Sequence, residues 1–252
     1  MNVLVVLAII LFGLMYWIGR GKGIRSFIAL FLNFAITFVT IILLTYRDAA
    51  ISITLVACIL ISLINLFYIN EITQKTKAAF YATLLTLGIL LAVIFVVVHF
   101  SMTQGFGEEE VEELGMFSLQ IGVNFEKIAM SMMIMGMIGA VTDTSIAIAS
   151  SMNEVFFHHP AISRKALFCS GMSIGGDILG TTTNTLFFAF VGGYLALIIW
   201  VKDLNYSLGT LVNTKVFSSE VISVLCVGLG AILIIPITAW LTTRLLIKKT
   251  VK

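Results

Sequence analysis

The chain has 252 residues, of which 60% are hydrophobic and only 11% charged, with a formal net charge of +2. Soluble proteins carry roughly a quarter charged residues, so this composition places the chain in a lipid bilayer. The small positive charge falls mostly in short loops, which speaks for membrane topology and against nucleic-acid binding.

Crossing about 30 Å of hydrocarbon takes about 20 apolar residues, and seven stretches qualify, at 3–18, 28–44, 51–69, 78–100, 128–152, 171–200 and 221–241. They are continuous apolar runs without alternation, which favours helices over a barrel. The expectation is an all-α, polytopic membrane helix bundle of seven transmembrane helices forming a single domain. No loop is long enough for a separate soluble unit.

The first stretch has no basic residue before it and Arg20, Lys22 and Arg25 just after it. This is the reverse of a cleavable signal, so it reads as a retained anchor. Threading seven helices puts Arg20, Lys22, Arg25, Lys75, Lys77, Arg164, Lys165, Arg244, Lys248, Lys249 and Lys252 on one side and Arg47, Lys127, Lys202 and Lys215 on the other. By the positive-inside rule the N-terminus is outside and the C-terminus cytoplasmic. Cys58, Cys169 and Cys226 lie in or beside apolar stretches, where a thiol acts as a small filler. They suggest no disulfide or metal framework.

Between the fourth and fifth spans, Glu108, Glu109, Glu110, Glu112 and Glu113 precede Leu114, Phe117, Leu119, Ile121 and Phe125. This reads as the charged start of a helix whose apolar residues lie at the interface. His99 reads as an interfacial residue, and the adjacent His158 and His159 diverge by about 100° on a helix, which does not suit a shared metal. Pro236 falls inside the seventh span, where neighbouring helices can satisfy the carbonyl it frees.

The fifth and sixth spans carry the functional signal, because Asp143 and Asp177 interrupt otherwise apolar runs. A carboxylate at the centre of a bilayer costs about 2.5–3.5 kcal/mol on insertion scales and usually faces a protein interior. At helical spacing Gly136, Gly139, Ala140, Asp143, Ala147, Ser150, Ser151 and Glu154 form one small and polar stripe. Small residues let a second helix come close in lipid, so Gly136, Gly139, Ala140 and Gly180 are expected at helix contacts, with Asp143 turned to a neighbour. Ser173, Asp177, Gly180, Thr181 and Asn184 form a matching stripe on the sixth span. Thr142, Thr181 and Asn184 are expected to hydrogen-bond the two acids.

Asp143 lies eleven residues, about 16 Å, before Glu154, and Asp177 nine residues, about 13 Å, after Phe168, so both are expected near mid-membrane. Two carboxyls in contact cannot both ionise cheaply and would share a proton, which suits a relay or substrate contact. No Ser/His pair, zinc motif or ligand cluster appears in the spans, so an enzyme is not expected, and neither is a cofactor.

The segments 139–151 and 170–186, with the Gly19-Arg20-Gly21-Lys22-Gly23 turn, closely resemble the YibE/F family of bacterial membrane proteins, over roughly residues 19–200. The chain is similar to the short, YibF-type member, which lacks the larger outside region of its YibE-type companion. The resemblance implies a multipass plasma-membrane protein, often described as a transporter of undefined activity, with a YibE-type subunit or a second copy as partner. The family usually has an arginine just before the second aspartate, where this chain has Gly176. A more distant similarity is to the SecF half of the resistance-nodulation-division superfamily, matching the last six spans as a fold analogy. Together these give the expected function, a subunit of a proton-coupled transporter or exporter, with a non-catalytic scaffold or assembly subunit as the alternative.

Overall fold

The structure is a computed structural model that describes residues 2–46, 49–105, 107, 124–195, 199 and 207–250. The acidic run 108–113 with the apolar residues up to Ile121, the loop at Arg47 and Asp48, Trp200, Lys202 and Lys252 lie outside the described residues. All the described secondary structure is helical: α1 (Val3–Tyr46), α2 (Ala50–Leu63) running into a π-helical turn (Ile64–Tyr68), α3 (Gln74–Ser101), α4 (Phe125–His158), α5 (Arg164–Gly193), α6 (Leu208–Asn213) and α7 (Lys215–Thr250).

Among the described residues, five helices are long and apolar enough to cross a membrane: α1, α2 with its π turn, α3, α4 and α7. The sixth expected span corresponds to α5, which falls outside that group because Ser, Thr, Asn, Gly and Asp177 dilute its hydropathy.

The first two expected spans form one helical run that folds back on itself at Arg20, whose φ of 45° and ψ of −127° leave the helical region. The reversal brings the rings of Phe12 and Phe27 to 4.9 Å, although fifteen residues of straight helix would separate them by about 22 Å. Gly23 is required here, since a Cβ would overlap the Met15 carbonyl of the opposing arm. The two arms were therefore legible as separate spans, and the Gly19–Gly23 stretch is the hinge of a tight helical hairpin. Most of its apolar side chains are exposed, as expected for a surface bathed in lipid.

Helix boundaries follow local chemistry. Thr73 and Thr76 form a reciprocal capping box at the start of α3, and Asn124 and Ser163 accept from Lys127 N and Ala166 N to cap α4 and α5. Pro236 is accommodated within α7.

The bundle is built around α3, α4 and α7, which pack on one another, with α5 laid against α7 and α4, α2 against α4, and α1 against α2. The core consists of Leu90, Ile94, Ile134, Met137, Val141 and Ile234, all about fully buried, and a second cluster of Ile148, Met152, Leu167 and Ile235 holds α5 in place. Glycine sets the approach of α5. A Cβ on Gly175 would overlap Ile235, and one on Gly171 would lie 2.9 Å from the Ala239 Cβ. Close approach of this kind supplies the van der Waals contact that drives helix association in lipid.

Several basic residues gather at the end of the bundle formed by the start of α3 and the ends of α4 and α7. Arg25 pairs with Glu71 at 3.0 Å across the first loops, and a cavity joins Lys75 and Lys77 at the start of α3 to the end of α4 and to Leu246.

Candidate functional site

The two acids are not buried against each other. Asp143 and Asp177 are both exposed on the surface of the single chain, and among the described residues neither has an ion-pair or hydrogen-bond partner. The stripe expected to face a neighbouring helix faces outward instead. Gly136, Asp143, Ser151 and Glu154 are exposed, and Gly139, Ala140, Ala147 and Ser150 are partly so.

The expected helix-packing glycines divide accordingly. Gly139 and Gly180 have no heavy atom within 4 Å of a built Cβ, and Gly136 has only Val227 at 3.7 Å. Ala140 touches the edge of the core. Besides Gly23 in the hairpin, the glycines that pack tightly are Gly171, Gly175 and Gly230.

The expected supports of the acids are also elsewhere. Thr181 is exposed and donates to the Ile178 carbonyl of its own helix at 2.8 Å, and Asn184 is exposed. Gly176, at the family's arginine position, borders open space. Thr142, next to Asp143 in sequence, points the other way and is fully buried, because neighbours on a helix diverge by about 100°.

Thr142 belongs instead to a seam of hydroxyls inside the α3–α4–α7 core. The Thr83 and Ser145 oxygens are 3.3 Å apart, and Ser145 donates its single proton to the Thr142 carbonyl at 2.8 Å. Thr83 must therefore be the donor to Ser145. Thr86 lies one turn along α3 from Thr83, and Thr142 one turn along α4 from Ser145. Thr238 and Thr242 of α7 are buried as well.

Their depth follows from Gly230, where a Cβ would lie 3.1 Å from Leu90 of α3 and 3.2 Å from Val141 of α4. From this crossing Thr238 is eight residues, about 12 Å, along α7, and Thr83 is seven residues, about 10 Å, back along α3. On the same scale Thr142 lies one residue, about 1.5 Å, and Thr242 twelve residues, about 18 Å, from the crossing, so the hydroxyls of the three helices all lie on one side of it, strung along roughly 16 Å of the bundle. The oxygens of Thr86, Thr142, Thr238 and Thr242 have no protein partner. Buried polar groups are rarely left unpaired, so the seam has the chemistry to hold water or to pass a proton between hydroxyls.

Thr83, Thr86, Ser145, Thr238 and Thr242 were not singled out from the sequence. The available signal was spacing, with hydroxyls at i and i+3 in 83/86 and 142/145 and at i and i+4 in 238/242. Such residues are common in membrane helices, where they often bond their own backbone, as Thr243 does to Ala239 at 2.8 Å.

A family model described as YibE/F-like protein matches residues 7–248, nearly the whole chain. No curated protein matches the chain. No solved structure matches it either, so the SecF analogy has no support from a known fold.

Proposed function

The chain belongs to the YibE/F-like family, and from that premise we propose that it is the membrane subunit of a proton-coupled transporter or exporter in the bacterial plasma membrane. Its N-terminus is outside and its C-terminus cytoplasmic, and it works with a YibE-type partner or a second copy.

The observation that carries this reading is the buried hydroxyl seam, with four unpaired oxygens strung along the three-helix core. Unpaired polar groups destabilise a bundle unless water or an ion uses them. Asp143, one residue from Thr142, stands on the outer face of the same helix. A carboxylate left to lipid there would cost about 2.5–3.5 kcal/mol, and a partner chain laid over the α4 and α5 faces removes that cost. In this arrangement Asp143 takes up and releases the proton at the subunit contact. Asp177 serves the same contact from α5, and the seam carries water or protons through the core.

The test is reconstitution of the chain, with its partner, into vesicles containing a pH-sensitive dye. Asp143→Asn is expected to abolish proton movement while the amount of folded protein in the membrane stays normal, and Thr142→Val to slow it. Wild-type flux in Asp143→Asn would refute the role.

The open positions at Gly139 and Gly180 favour a second reading, a non-catalytic assembly subunit whose stripes are docking surfaces. Gly139→Leu would then lose the co-purifying partner, whereas Asp143→Asn would retain it and change no flux.

A further inference from the structure

At the basic end of the bundle a cavity of about 780 Å³ lies between the start of α3, the end of α4 and the end of α7. Its polar lining includes Lys75, Lys77, Gln74 and Asn153, two ammonium groups and two amides, all able to donate hydrogen bonds. Among the described residues no carboxylate lines it. The two nearest in sequence are engaged elsewhere, Glu71 with Arg25 at 3.0 Å and Glu154 with His158 at 3.3 Å.

Neither lysine has an ion-pair partner among the described residues, and Lys75 is only partly exposed. The first turn of α3 adds the positive end of its helix dipole. The remaining wall is apolar and includes Ile72, Phe156 and Phe157. Cationic donors beside aromatic and aliphatic surface suit a ligand with an anionic head and an apolar body. Basic recesses between membrane helices recognise phosphate headgroups in this way.

We propose that this cavity binds a phosphate-bearing anion, with the headgroup of an anionic lipid as its source. The phosphate sits between Lys75 and Lys77, Gln74 and Asn153 donate to its oxygens, and the glycerol and upper acyl carbons lie along Phe156 and Phe157. The lipid thereby bridges the ends of α3, α4 and α7 and holds together the three helices that form the hydroxyl seam.

The experiment uses the full chain in detergent, titrated separately with phosphatidylglycerol, with zwitterionic phosphatidylcholine and with inorganic phosphate. Bound lipid is read by native mass spectrometry, and the midpoint of thermal unfolding is followed in parallel. Wild type is expected to retain phosphatidylglycerol in preference to phosphatidylcholine. Lys75→Gln combined with Lys77→Gln weakens retention roughly thirtyfold, since each basic group near a membrane surface contributes roughly fivefold. Lys75→Arg with Lys77→Arg preserves it.

Lys77→Gln alone, at an exposed position, is the safeguard against a folding failure and is expected to weaken retention roughly fivefold. If inorganic phosphate displaces the lipid at comparable concentration, the phosphate site stands and its source is the soluble anion. Without displacement the lipid is the source. Equal retention of the two lipids by wild type, or undiminished phosphatidylglycerol retention in both Gln variants, overturns the proposal.

Discussion

Replacing Gly175 with alanine tests the close packing of α5 on α7. An added methyl would overlap the Ile235 side chain, whose Cβ and Cγ1 would lie 3.2 Å from it, and Ile235 is itself held in the buried cluster with Ile148 and Ala239. Overpacking of this kind costs about 1–3 kcal/mol. Against it stands a gain of about 0.5–1 kcal/mol, because alanine is the better helix former. The net expectation is a loss of about 0.5–2 kcal/mol.

Gly180 is the internal control. It lies on the same helix with nothing within 4 Å of the added methyl, so Gly180→Ala collects only the gain. The two variants are compared by unfolding the purified chain in mixed micelles with rising denaturing detergent. A third measurement makes the reasoning specific. Ile235→Ala alone creates a cavity and destabilises, but combined with Gly175→Ala it is partly filled, giving a favourable coupling of about 1 kcal/mol. Equal stability of Gly175→Ala and Gly180→Ala, or strict additivity with Ile235→Ala, would refute the packing argument.

Two further outcomes follow from the hairpin and the seam. With the native cysteines replaced, Phe12→Cys and Phe27→Cys are expected to be joined within one chain by a short bifunctional thiol reagent, since the two side chains meet across the hairpin. Adding Gly23→Ala opens the arms against the rigid Met15 carbonyl and should suppress the link in a gel-shift assay. In the seam, Thr83→Val removes a made hydrogen bond and is expected to cost about 0.6 kcal/mol. Thr142→Val, at an unpartnered hydroxyl, is expected to be neutral or stabilising, because valine leaves no polar atom to satisfy. The same detergent titration separates them, and a Thr142→Val loss as large as that of Thr83→Val would mean that tightly held water, not a protein group, partners Thr142.

The membrane class and the helical content of this chain were legible in its residues, because hydropathy over about 20 positions is a one-dimensional property and lipid leaves a continuous apolar run no alternative to a helix. The hinge at 19–23 was legible for a related reason, since glycine and basic residues punctuate the apolar runs. Which face of each helix turns inward was settled only by the tertiary packing. In water the polar stripe of α4 would mark its outer face. In lipid both surroundings of a helix are apolar, so there is no hydrophobic difference between them, and the stripe with Asp143 was assigned to the interior on the cost of exposing it. The bundle buries Met137, Ile138, Val141 and Ile148 instead, because these large side chains interdigitate with α3 and α7, and the same rotation carries Thr142 into the core and Asp143 out of it.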